Sequence, residues 1–292
     1  MKRTMKKILV FLAAGLVAVS CIINIGGIGA VSVGSCTEEG IDYTEIREVG
    51  AFDAISHSLP CKLYFSQADK QEVRVESTEE FAGKVITEVE NGTLKLKMEE
   101  GRYPKLILRV VITSPDIESL QTHGSGDIVQ EGTLRVKGDL EVKTHGSGDI
   151  RMGTIQAKAF TAQSSGSGDI RIESVSSADF TASARGSGDL NFVRVDCAGF
   201  KLSTAGSGDI TLGSLTAKGK AEVRTSGSGD IRLSEVAVDG DMELKTVGSG
   251  DITVNGSCHD VQASTTGSGS VSGNLSFGHI DARSTGSGRV RL

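Results

Sequence analysis

Seven aspartates recur along the chain at near-constant spacing: Asp127, Asp149, Asp169, Asp189, Asp209, Asp230 and Asp251, each closing a Gly-Ser-Gly-Asp sequence. Carboxylates stacked about 4.8 Å apart repel by about 1 kcal/mol in water and by ~3 to 4 kcal/mol at an effective dielectric of 20, so something must offset them. Amides within each Gly-Ser-Gly-Asp turn could do it as Asx-type caps, with no ion. Calcium could also do it, as in the Gly-rich β-rolls whose aspartates and carbonyls hold that ion. Those repeats are nine residues long and these are about twenty, so the capping role is preferred. Calcium is the one cofactor the sequence suggests.

Other side chains with metal or nucleophile chemistry are sparse. His123 and His145 precede the first two tripeptides and should stack on one face, but Ser165 and Arg185 follow in that column, leaving a shared metal without a third ligand. His57, His259 and His279 read as isolated. Cys61, Cys197 and Cys258 show neither CxxC nor zinc-site spacing and read as small buried residues. The Gly-Ser-Gly serines lack the Gly-x-Ser-x-Gly context of a nucleophile elbow. No catalytic residue is assigned.

Positioning these residues falls to a repeat. Gly-Ser-Gly begins at Gly124, Gly146, Gly166, Gly186, Gly206, Gly227, Gly248, Gly267 and Gly286, which accounts for 18 of the 38 glycines among 292 residues. A period near twenty means stacked coils. After each turn apolar and polar residues alternate, as in Ile170-Arg171-Ile172; one apolar residue follows, Val175, and then a second alternating stretch, Phe180-Thr181-Ala182. That is strand periodicity with one buried face, and no 3.6-residue period is sustained. The spacing predicts an all-β, right-handed parallel β-helix over residues 123–292. Cys197 and Cys258 then lie three rungs apart, ~14 Å, too far for a disulfide.

Residues 45–122 lack the tripeptide but stay strand-like, with Asn91-Gly92 as a hairpin turn, and are expected to form an irregular β cap with the first coils. Tyr64, Phe65 and Tyr103 are assigned to its core. After residue 120 the only aromatics are Phe160, Phe180, Phe192, Phe200 and Phe277; four occupy periodic apolar positions, which makes them core and not the exposed platforms of a polysaccharide-active β-helix. Near the end the aspartate gives way to Ser270 and then Arg289.

Residues 1–20 pair a basic start (Lys2, Arg3, Lys6, Lys7) with the apolar run from Ile8, the pattern of a secretory signal. Ala18-Val19-Ser20-Cys21 resembles a lipobox, making Cys21 the preferred lipidated residue and residues 21–44 an anchored linker; Cys36, followed by Glu38-Glu39, is the alternative, and an uncleaved membrane anchor a third reading. The net charge of −6 becomes −10 without the four leader cations, and seven of those charges fall in the aspartate column. No basic patch is available for nucleic acid.

Arg47-Glu48-Val49-Gly50-Ala51-Phe52-Asp53-Ala54-Ile55, Glu88-Val89-Glu90-Asn91-Gly92-Thr93-Leu94 and the run from Pro115 to Leu120 into Gly-Ser-Gly-Asp-Ile resemble the putative auto-transporter adhesin head GIN domain family of Gram-negative envelope proteins. The resemblance implies an all-β solenoid in the cell envelope, often on a lipoprotein leader, and carries over no catalytic residues. The expected protein is a non-enzymatic outer-membrane lipoprotein, held by its lipid and facing the cell surface or the periplasm. Its solenoid face would take a glycan or protein ligand. The alternatives are an envelope scaffold without a ligand and a polysaccharide-active enzyme.

Overall fold

In Ile170-Arg171-Ile172 and Phe180-Thr181-Ala182 each apolar side chain turns inward and each polar one outward, so the alternation becomes strand with one buried face. The computed structural model describes residues 21–23 and 31–292; the signal assigned to residues 1–20 lies outside the described residues. Ile170 pairs in parallel with Ile150 on one side and Leu190 on the other, and Phe180 with Phe160 and Phe200. The same register continues through Val290 and Arg291, giving a β-solenoid of about nine turns. Ile128, Ile150, Ile170, Leu190, Ile210, Ile231, Ile252 and Val271 form one inward column, all fully buried. Each such side chain contributes roughly 1.5 to 3 kcal/mol. Phe160 and Phe180 stack at 5.8 Å and Phe192 meets Phe180 edge-on at 5.0 Å; with Phe200 they are core, while Phe277 is only partly buried against it.

Coils stacked at the ~4.8 Å spacing of a β-ladder leave no room at the turn. The amides of Ser167 and Gly168 both donate to Gly146 O in the preceding coil, at 2.9 and 3.1 Å, and this pairing recurs from turn to turn. A Cβ on Gly166 would lie 2.1 Å from Gly146 O, and one on Gly168 would lie 2.1 Å from Gly148 O. Close approach is therefore what demands glycine here. Positive φ adds to the demand in the tripeptides only at Gly248, Gly267 and Gly286.

Just inside the turn runs a buried hydroxyl column. Thr122 donates to Gly126 O at 2.9 Å, Thr204 to Gly229 O at 3.0 Å, Thr225 to Gly250 O and Thr246 to Gly269 O at 3.1 Å. His57 heads this column, in register with Thr122, and its Nε2 bonds Cys61 O at 2.8 Å. In that first coil Ser58-Leu59-Pro60-Cys61 replaces the glycine turn, and Ala54–His57 and Leu63–Gln67 already pair in parallel with the coils that follow.

The cap departs from the parallel stack. Glu72–Ser77 runs antiparallel to Leu106–Ser114, Tyr43–Arg47 antiparallel to Glu72–Ser77, and Val85–Glu90 forms a hairpin with Thr93–Met98 through Asn91 (φ 50°) and Gly92 (φ 75°). A single helical turn, Glu79–Ala82, is N-capped by Thr78, and Arg47 donates to Ala82 O. Phe65 and Tyr103 are buried in this region, whereas Tyr64 is half-buried and donates to Glu38 Oε1 at 2.8 Å. Among the described residues no helix is long and apolar enough to cross a membrane.

Two outcomes follow from the packing. Gly168→Ala should cost at least ~1 to 3 kcal/mol in denaturant unfolding by overpacking the turn, while Gly138→Ala, where a Cβ meets nothing within 4 Å, should stay within about 0.5 kcal/mol. The second concerns His57, whose pKa burial pushes down to about 4 from 6.5, against weaker opposing effects of Cys61 O and Asp127. Between those values the unfolded chain binds a proton that the folded chain refuses, so stability should fall by about 3 kcal/mol as pH drops through that window and stay flat above it. Unfolding of His57→Gln across pH should lack this component; an unchanged pH slope would remove His57 as its source.

Candidate functional site: the aspartate ladder and the coil corners

The turn amides of Ser and Gly are taken by the carbonyl one coil back, so they are not free for the aspartate of their own turn. The carboxylates instead reach the next coil. Asp149 N donates to Asp127 Oδ1 at 3.0 Å, Asp169 N to Asp149 Oδ1 at 3.0 Å, Asp189 N to Asp169 Oδ1 at 2.8 Å and Asp209 N to Asp189 Oδ1 at 2.9 Å. Asp230 N and Asp251 N continue the series at 2.8 Å each. Ser270 N donates to Asp251 Oδ1, and Ser270 Oγ then accepts from Arg289 N, so the ladder outlasts the aspartates. The sequence reading of a cap without an ion named the right acceptor and the wrong donor.

In five of the seven aspartates, all but Asp189 and Asp251, the other carboxylate oxygen meets arginine. Arg151 lies 2.6 Å from Asp149 Oδ2 and 3.2 Å from Asp127 Oδ2, Arg171 2.7 Å from Asp169 and 3.7 Å from Asp149, and Arg232 2.6 Å from Asp230 and 2.7 Å from Asp209. Each arginine clamps two rungs. An amide bonded to a carboxylate contributes about 1.5 to 3 kcal/mol, and a half-exposed ion pair up to ~1 kcal/mol. Together these offset the repulsion between neighbouring aspartates. The column is thus less acidic than its aspartate count implies; the signal for this, Asp-Ile-Arg in three repeats, stood in the sequence unread.

His123 and His145 stack at 4.8 Å with planes 6° apart, as their spacing predicts. Burial, and then the neighbouring imidazole, pushes the His123 pKa down. Cys197 pairs in register with Ala217 and Ala217 with Val238, and Cys258 follows Ser257, the partner of Ala237, so the two cysteines lie three rungs apart and neither forms a disulfide. Burial, followed by nearby aspartates, raises their thiol pKa values to about 12 and about 11, so both stay protonated and poorly nucleophilic. His259 is not isolated. Its Nδ1 lies 2.9 Å from Asp241 Oδ1 and 3.6 Å from Asp260 Oδ2, and these three are the only such group of potential metal ligands among the described residues. Linear spacing hid it because the three come from corners of adjacent coils.

Depressions on the described surface include shallow, open grooves along coil corners, one lined by Ser234, Asn255 and Asn274, another by Arg135, Gln156 and Ser176. Fold and surface together define an elongated parallel β-solenoid that offers ladders of side chains instead of an enclosed pocket. Residues 51–237 and 201–292 match the family described as putative auto-transporter adhesin, head GIN domain, and the chain belongs to that family. Similar solved structures include a putative lipid binding protein from Parabacteroides distasonis, with 21% identity and TM-score 0.66 over 90% of this chain and 99% of that one. A putative adhesin from Bacteroides fragilis shows 17% identity and TM-score 0.56 over 89% and 98%. Another from Parabacteroides merdae shows 15% and 0.63 over 90% and 99%. Identities this low establish the fold alone. No curated protein matches the sequence.

The ladder makes a testable distinction. Asp169→Ala should cost ~1 to 3 kcal/mol by orphaning the Asp189 amide and Arg171, whereas Asp169→Asn, which keeps an oxygen acceptor, should cost less than half of that. With every Oδ1 and five of the seven Oδ2 atoms committed in this way, the melting temperature should not rise in millimolar calcium; a rise that is lost in Asp169→Asn would instead place that ion in the column.

Proposed function

We propose that the protein is a non-enzymatic cell-envelope adhesin, held to the outer membrane by a lipid on Cys21 and presenting the solenoid's flat faces to a glycan or protein ligand. The observation that carries this reading is the in-register polar face. Thr161, Thr181, Lys201, Glu222 and Glu243 follow one another up one column, with Gln163, Ser183, Ser203, Arg224 and Lys245 beside them. Ser203 donates to Ser183 at 3.1 Å, and Lys201 pairs with Glu222 at 3.2 Å. Such a face offers hydroxyl, amide and paired-charge groups over many coils, which suits an extended ligand. Membership in an adhesin-type family supports it. In the carboxylate column every Oδ1 is held by a main-chain amide and the Oδ2 of five of the seven aspartates by arginine, which supports the non-enzymatic reading.

Cys21 is preferred over Cys36 because the segment around Cys36 is part of the fold. Val33 is buried, Gly34 N donates to Tyr103 O, Cys36 Sγ donates to Leu108 O at 3.7 Å, and Glu38 bridges Tyr64 and Arg109. Acylation at Cys36 would pull that thiol out of the core, whereas Cys21 begins a short strand, Cys21–Ile23, paired with Val31–Val33.

Metabolic labelling with a palmitate analogue should mark the wild type and Cys36→Ala but not Cys21→Ala, which should leave the membrane fraction. Protease applied to intact cells should remove the protein. Its survival there, with cleavage after outer-membrane permeabilisation, would replace the adhesin reading with a periplasmic scaffold.

A further inference from the structure

We infer that the corner formed by Asp241, His259 and Asp260 is a binding site for a divalent transition cation of the zinc type. This is independent of the adhesin reading.

The solenoid brings residues eighteen and nineteen positions apart to one point, and its backbone holds them there. His259 N donates to Gly240 O at 3.0 Å, and Gly278 N donates to His259 O at 2.7 Å, so the corner bearing the imidazole is fixed from both neighbouring coils. Asp260 Oδ1 accepts from His279 N at 2.8 Å, which leaves Oδ2 to face His259 Nδ1. Asp241 Oδ1 approaches the same nitrogen from the preceding coil at 2.9 Å. The 2.9 and 3.6 Å separations of His259 Nδ1 from the two carboxylate oxygens fall inside the ~4.4 Å that two bonds of ~2.2 Å can span, and the three ligand atoms all lie within 4.8 Å, so a small rotation of the exposed Asp241 side chain closes the set around one ion.

The donor set selects the ion. One imidazole nitrogen and two carboxylates balance a 2+ charge, and the imidazole favours zinc, cobalt or nickel over calcium. His259 would coordinate through Nδ1 as its Nε2–H tautomer, releasing to solvent the Nδ1 proton it carries when charged, with water completing the shell. The site differs from the His123–His145 pair, which has two imidazoles and no carboxylate, and from the aspartate ladder, which has no imidazole and whose every Oδ1 already accepts a main-chain N–H. His259 and Asp241 are exposed, so removing either side chain leaves the core intact.

Calorimetric titration of the mature chain with zinc chloride should give one ion per chain. Affinity should fall at least tenfold in His259→Ala and in Asp241→Asn and stay unchanged in His123→Ala. Cobalt(II) should show the visible absorption of a protein-bound ion in the wild type and lose it in His259→Ala, with melting of the metal-free proteins equal. Absence of binding heat, equal affinity in His259→Ala, or loss of binding only in His123→Ala would each overturn the assignment.

Discussion

Everything in this molecule depends on backbones stacked in register at the spacing of a β-ladder, including through the turns. Buried amides must find partners, and in each glycine turn after the first the Ser and Gly amides find them one coil back, on the carbonyl of the equivalent first glycine. That bond requires the two turns to be nearly superimposable and to touch. Side chains cannot be admitted at the first and third positions, where a Cβ would sit within about 2 to 3 Å of the carbonyl oxygen one coil back. The glycine excess is the compositional trace of this constraint.

The same constraint creates an electrostatic problem and then solves it. A residue repeated once per coil must face its own copies, so an aspartate after each turn faces another aspartate. The Oδ1 of each copy accepts the main-chain N–H of the next, which converts seven repelling groups into links between coils. Arginine two residues on neutralises the outer oxygens in three places. Inside the turn the threonine column works by the same logic with uncharged groups, donating a hydroxyl to the glycine carbonyl where water is excluded.

Much of this was readable from spacing alone. A period near twenty gave the coil, alternation gave the buried face, and Asn91-Gly92 gave the hairpin at the turn where it stands. What spacing concealed was contact between columns. Asp149 and Arg151 looked like neighbours of no consequence until two coils were placed together, when Arg151 reached both Asp149 and Asp127. The choice of donor to the aspartates was equally hidden, because it depends on the turn amides being occupied by the coil below. In the cap, where strands turn antiparallel and no motif recurs, the partnership of Glu38 with Tyr64 and Arg109 left no signal in the sequence.

A repeat of this kind separates architecture from chemistry. Residues that recur in every coil answer the stacking problem, and their conservation of type along the column is explained by the copy above and below. Residues that break a column have no such explanation. His57 stands where later coils place threonine or serine, with Ala184 the one exception, and it brings a titratable ring into a column built mainly on hydroxyls. His259 stands at a corner occupied by Lys158 and Gly219 in other coils, and it brings imidazole nitrogen between two carboxylates. In a chain whose turn aspartates are spent on holding coils together, ligand chemistry is confined to such departures and to the outward faces, where side chains vary from rung to rung without disturbing the ladder beneath them.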